Sequence, residues 1–294
     1  LSKPFTLEFA VETMASSFRA VSILVGSLAL AAIFAWSVTT IAVNSGTLAK
    51  PRPVLLLTGD SLTEQGTDPT KSGWVTLLQS RYTRTSDVIT RGLSGYNTKW
   101  FLKDALPLIA TEIQTDAYNS PSLITVWLGT NDAALWNGSD SVAHVPIQDY
   151  KANLIKIVRG LWVTAPTAKM LLVTPPPVDD AARAEYANAS TGGLLDRSNA
   201  VTTTYARACV ETAGVLGVPV LDLNSFLNAM DETTRNTLLE NGLHFNAEGN
   251  TVVDEQIRSK IAAEFPALDE ALQSWQLPAA SKWESEDPWA AVDS

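Results

Sequence analysis

The sequence predicts a doubly wound α/β domain on a parallel sheet, and three observations predict it. From Pro51 onward, short strand-like apolar runs alternate with longer segments of helical spacing. The first run, Val54-Leu55-Leu56-Leu57-Thr58, is continuously apolar, as a strand covered on both faces requires. It ends in Gly59-Asp60-Ser61-Leu62, a glycine-led turn that lifts one side chain clear of the sheet. Open α/β sheets place their chemistry at that carboxyl edge.

Five strands are expected, at Val54–Thr58, Asp87–Arg91, Leu123–Leu128, Lys169–Thr174 and Val218–Leu223. Between them, Ser72–Arg84, Asp149–Thr164, Leu194–Leu216 and Ala247–Phe265 show helical spacing. Asp149 opens its helix with the negative charge that a helix start prefers. Pro175-Pro176-Pro177 ends the fourth strand and stiffens a loop at the same edge as Ser61. Beyond residue 265 the pattern breaks. Residues 266–294 form an acidic tail in which Trp275, Trp283 and Trp289 follow no sustained period.

Composition bounds the partners. The 294 residues carry a net charge of −10 and no run of Lys or Arg, which excludes nucleic acid as a partner. Cys209 is the only cysteine, so neither an intramolecular disulfide nor a Cys-based metal site can form. Its helix-like setting, Tyr205-Ala206-Arg207-Ala208-Cys209-Val210, points to a buried structural thiol.

Ahead of the domain, residues 20–43 carry no charge and are long enough to cross a hydrocarbon core as a helix. With Met14 as the start, the layout is that of a signal or anchor sequence. The expectation is an N-terminal leader at 1–19, then a single-pass signal anchor at 20–43 that tethers the domain to a membrane of the secretory pathway. The alternative is a signal peptide cleaved near Val43-Asn44-Ser45, giving a secreted protein. The catalytic domain is expected over 52–265.

Serine becomes a nucleophile only when a base within hydrogen-bond reach removes its proton. His144 and His244 are the only histidines. His144 precedes Val145-Pro146 and a helix start, where a structural bond is expected. His244 sits in the loop Asn241-Gly242-Leu243-His244 between two helices, the setting of an exposed working residue. Acyl transfer also needs donors aimed at the developing oxyanion. The amides of Gly95 and Ser61 and the side-chain NH2 of Asn131 supply three. Alone, Gly95 reads as a turn and Asn131 as a helix cap; in this order at successive strand ends they read as one site. Asp132 is expected to hold its loop and Asp222 to anchor a turn.

These residues carry a resemblance to the GDSL family of SGNH hydrolases, named for Ser, Gly, Asn and His in four blocks: here Ser61, Gly95, Asn131 and His244. Arg91-Gly92-Leu93-Ser94-Gly95-Tyr96-Asn97-Thr98, His144-Val145-Pro146-Ile147, Tyr150-Lys151-Ala152-Asn153-Leu154 and Thr174-Pro175-Pro176-Pro177-Val178-Asp179 narrow it to the isoamyl-acetate-hydrolysing esterase group. The resemblance implies a flavodoxin-like α/β/α sandwich and hydrolysis of small, short-acyl esters by Ser61 and His244 through an acyl-enzyme, with no metal or cofactor. One position departs from the pattern. Where the family places Asp three residues before the histidine, this chain has Asn241. Asn241 is expected to orient His244 by accepting its Nδ1–H through the side-chain oxygen, without the charge. The rival readings are an acyltransferase or a lipid or carbohydrate esterase on the same site, and a catalytically silent, membrane-tethered binding protein.

Overall fold

The computed structural model describes residues 52–276 and 279–282. Five parallel strands, β1 (Val54–Gly59), β2 (Asp87–Gly92), β3 (Leu123–Trp127), β4 (Lys169–Val173) and β5 (Val220–Leu221), form one sheet in the order β2-β1-β3-β4-β5. That is the flavodoxin-like order, whose crevice opens where the winding reverses, between β1 and β3. Leu56 pairs with Ile89 on one side and Ile124 on the other, and Ile124 with Met170.

Side chains alternate across the sheet with a period of two. Leu56, Ile124, Val126, Met170 and Leu172 face one layer, together with buried residues of α3 (Leu106–Gln114), α4 (Ile147–Thr164) and α6 (Asn199–Leu216). Leu55, Leu57, Leu123, Trp127, Leu171 and Val173 face the other, with α2 (Trp74–Tyr82), α7 (Leu223–Asn228) and α9 (Ala247–Glu264). The run Leu55-Leu56-Leu57 is apolar throughout because consecutive residues enter different cores. The remaining α-helices of four or more residues are the single turn α1 (Ser61–Glu64), α5 (Asp180–Ser190), α8 (Glu232–Thr237) and α10 (Pro266–Gln273).

Several boundaries differ from expectation. β5 is two residues long because Asp222 already caps α7, its Oδ1 accepting from the Ser225 amide. A π-helical turn over Phe101–Ala105 leads into α3, a helix beyond those expected from the spacing of the sequence. α6 starts at Asn199, five residues later than expected, because Ser198 caps it through the Val201 amide. α10 follows directly on the boundary expected at residue 265 and buries Leu272 against α9 and its neighbours. The Arg84 guanidinium lies 4.2 Å from the centre of the Trp275 ring. Trp283 and Trp289 lie outside the described residues.

The single-pass anchor, and with it a membrane as partner and location, is corrected. Among the described residues no helix is long and apolar enough to cross a membrane. The leader at 1–19 and the 20–43 segment on which that expectation rested lie outside the described residues.

Candidate active site

The nucleophile turn is dictated by close packing at Gly59. A Cβ there would stand 2.3 Å from Thr63 Oγ1 and 2.7 Å from the Trp127 carbonyl oxygen, so only glycine lets β1 and β3 approach this closely. Asp60 then caps α1: its Oδ1 accepts from the Leu62 amide, and its carbonyl accepts from the Thr63 and Glu64 amides. Of the four free N–H groups of a helix start, that leaves the one on Ser61. Asp60 is fully buried, and burial pushes its carboxyl up from 3.8 to about 7.

Beneath the turn lies an aromatic stack. Trp74 and Trp127 stand 5.7 Å apart, and Trp127 and Phe245 6.2 Å. Trp74 Nε1 donates to the Leu62 carbonyl, one residue after the serine, and Phe245 follows the histidine. The stack therefore packs against the residues next to Ser61 and His244.

His244 arrives on a closed loop. Leu239 and Phe245 form an antiparallel bridge, and the Glu240 amide donates to the His244 carbonyl. The loop tip is tied to the start of α5, where the Asp179 amide donates to the Gly242 carbonyl and Arg183 Nη1 to the Asn241 carbonyl. His244 Nε2 lies 2.9 Å from Ser61 Oγ across 183 residues of sequence. Burial, followed by the positive charge of Arg183, holds the imidazole below its ordinary value. It is neutral at neutral pH, as a general base must be.

The residues expected to supply oxyanion donors, Gly95 and Asn131, follow β2 and β3. Gly95 has φ +79° with open space where a Cβ would point, so backbone conformation rather than packing requires glycine. Its neighbours are pinned: the Ser94 amide donates to Glu64 Oε2 at 2.6 Å and the Tyr96 amide to the Leu93 carbonyl. Asn131, 7% exposed, donates from Nδ2 to the Tyr96 carbonyl at 2.9 Å, and its Oδ1 accepts from Arg197 Nη2 at 2.9 Å. One N–H of that amide stays available.

Asn241 does not take the part expected of it. Its Oδ1 accepts from the amides of Leu243 and His244, at 3.1 and 3.0 Å, so the oxygen is turned to the backbone. What faces His244 Nδ1, at 3.1 Å, is the Asn241 NH2. An amide nitrogen only donates, so Nδ1 accepts and the neutral ring carries its proton on Nε2. Nε2 then donates to Ser61 Oγ instead of accepting from it. An aspartate would serve both sides at once, one oxygen on the backbone amides and one on Nδ1–H.

The other candidates fall outside the reacting cluster. His144 Nδ1 donates to the Ala134 carbonyl at 2.7 Å, a structural bond. Asp132 is buried and accepts from the Thr98 amide and hydroxyl, which ties the β2 and β3 loops together; burial pushes its carboxyl up to about 7. Cys209 is buried against the sheet, and burial pushes its thiol up to about 12. Arg183, Asp196, Arg197 and Glu64 are contacts that reading the sequence missed. The available signal was Ser198, whose capping places Asp196 and Arg197 in a loop rather than in a helix.

Comparison with known proteins shows the family. The GDSL-like Lipase/Acylhydrolase family matches residues 57–252. A GDSL esterase/lipase of Arabidopsis thaliana is 35% identical over 244 residues, covering 82% of this chain and 98% of the plant protein. An isoamyl acetate-hydrolyzing esterase 1 homolog of Bos taurus is 36% identical, covering 76% of this chain and 87% of its own. The crystal structure of a lipase/acylhydrolase from Enterococcus faecalis shares the fold, with a TM-score of 0.54 at 21% identity over 72% of this chain and 96% of that one. The chain belongs to the GDSL/SGNH esterase/lipase family and is a serine ester hydrolase.

Proposed function

We propose that this protein hydrolyses short-acyl esters of small alcohols, with Ser61 as nucleophile and His244 as base. Ser61 Oγ attacks the ester carbonyl and its proton passes to His244 Nε2. The amides of Ser61 and Gly95 and the free N–H of Asn131 receive the oxyanion. His244 returns the proton to the leaving alcohol. Water, activated the same way, then releases the acid from the acyl-enzyme. The observation that carries this reading is the 2.9 Å contact between Ser61 Oγ and His244 Nε2 at the carboxyl edge of the sheet. The preference for short acyl groups rests on the relatives, several of which are named as isoamyl acetate-hydrolyzing esterase homologs.

In this reading Asn241 slows the reaction without abolishing it. The productive tautomer, with the proton on Nδ1, requires the Asn241 carboxamide to turn over and give up its two backbone bonds, or Nδ1–H to bond to solvent. Asn241 is exposed, which leaves room for either. The test is hydrolysis of p-nitrophenyl acetate, p-nitrophenyl decanoate and isoamyl acetate by the parent and Ser61→Ala. The acetates are expected to turn over faster than the decanoate, and Ser61→Ala to lose at least ~10³-fold in kcat. Equal rates for Ser61→Ala and the parent contradict the assignment of the nucleophile.

A further inference from the structure

We infer that Arg197 is a positioning residue for the oxyanion hole, acting through Asn131, and that Asp196 and Arg183 continue the same buried network to the His244 loop. The inference rests on the esterase reading above. The starting point is Asn131, whose carboxamide must present N–H to the substrate. Its oxygen meets the Arg197 guanidinium, which only donates, and its nitrogen meets the Tyr96 carbonyl, which only accepts. Turning the amide over would break both bonds and set donor against donor. Arg197 thereby decides which end of Asn131 faces the ester.

The guanidinium is itself held on every side. Arg197 is 2% exposed; Nε donates to the Thr130 carbonyl at 2.8 Å, Nη1 to the Asp196 carbonyl at 3.2 Å, and Nη2 also to Asp140 Oδ2 at 2.8 Å. A planar fork of fixed donors can serve the carbonyl of one residue and the side chain of the next, whereas the lysine ammonium is a point charge on a flexible stem. Asp196 takes a bidentate pair from Arg183, Nε to Oδ1 at 3.0 Å and Nη2 to Oδ2 at 2.6 Å. Arg183 Nη1 reaches the Asn241 carbonyl in turn. A continuous polar path thus runs from Asn131 through Arg197, Asp196 and Arg183 to the loop that carries His244. Both arginines also act on the base by charge, each lowering the His244 pKa.

The test is a double-mutant cycle in the full chain, with kcat and KM for p-nitrophenyl acetate measured for the parent, Asn131→Ala, Arg197→Lys and Arg197→Lys/Asn131→Ala. Arg197→Lys keeps the buried charge and loses the fork. It is expected to lower kcat by about 10–100-fold, below the ~10²–10³ of losing a donor outright, and to leave KM within about twofold. On the Asn131→Ala background the same change is expected to cost less than about twofold, because the group it positions is gone. Arg197→Met is expected to repeat the pattern; if it does not fold, the lysine cycle alone decides. Equal losses on the two backgrounds, or parental kcat in Arg197→Lys, overturn the inference and leave the esterase reading standing. A harmless Asn131→Ala removes the oxyanion role of Asn131 and overturns the inference, whereas a folded parent without ester turnover overturns the esterase reading itself.

Discussion

The Asn131 carboxamide meets a guanidinium at its oxygen and a carbonyl at its nitrogen, and the chemistry of those partners fixes which way the amide is turned. The Asn241 carboxamide meets two backbone amides at its oxygen, and so turns its N–H toward the very nitrogen that should carry a proton. In the proposed mechanism, one functional group in two settings supports catalysis at one position and hinders it at the other. Asn241→Asp restores an acceptor for Nδ1–H and a negative charge beside the imidazole. It is expected to raise kcat at least tenfold, a small part of the ~10⁴ lost on the reverse exchange in a serine protease. In the parent, burial and Arg183 hold the His244 pKa down, so the acid limb of kcat/KM lies below the ordinary imidazole value of about 6.5. In Asn241→Asp the added carboxylate stabilises the imidazolium, and the limb is expected to move to higher pH. A limb that stays in place or moves down contradicts this view of the position. The meeting of Ser61 and His244 was legible in the sequence, because each stands in a short local motif at a loop that the fold returns to the sheet edge. The sense of the Asn241 bond was not, since it depends on which backbone amides the loop turns inward.

Among the elements, β1 and the turn after it carry most of the constraint. The Gly59 approach to Trp127 is between backbones, which cannot swing aside as a flexible side chain would. Gly59→Ala is expected to destabilise the fold by about 1–3 kcal/mol, read from the shift of the denaturation midpoint, and to lower kcat by displacing Ser61. A variant as stable and as active as the parent contradicts the account of this turn. Strands β1, β3 and β4 could be read closely because apolar runs buried on both faces leave few alternatives. The edge strand β5 could not, because Asp222 withdraws to cap a helix after two residues. Helix α5 escaped notice for a different reason. Its buried residues are Arg183 and Ala187, so it has no apolar stripe, and its hold on the domain is polar. The Arg183–Asp196–Arg197 network joins α5 to a loop before α6, and nothing local in sequence announces such pairs.

Across the whole molecule, two buried carboxylates lie under the site, Asp60 after β1 and Asp132 after β3, both raised to about 7 mainly by burial. A carboxyl whose folded pKa is raised binds its proton more tightly in the folded chain. The stability it contributes is fully present below the unfolded value of 3.8 and is lost as pH rises through about 7. Asp60→Asn keeps the capping oxygen, removes the titration of residue 60 and relieves its charge repulsion with Asp132. The melting temperature of Asp60→Asn relative to the parent is therefore expected to rise steadily between about pH 4 and about pH 8. A difference that is flat or falls across that window contradicts the assignment. The doubly wound order accounts for why these groups gather. It brings the carboxyl ends of β1, β2 and β3 side by side, and the chain returns after β5 to set His244 over Ser61.

The most direct test of the central claim, a Ser61–His244 esterase restrained by Asn241, is the initial rate of p-nitrophenyl acetate hydrolysis at neutral pH by the parent, Ser61→Ala, His244→Ala and Asn241→Asp. The expected result is measurable turnover by the parent, its loss in the first two variants and a rise in the third. Turnover that survives Ser61→Ala, or an Asn241→Asp protein no faster than the parent, would contradict it.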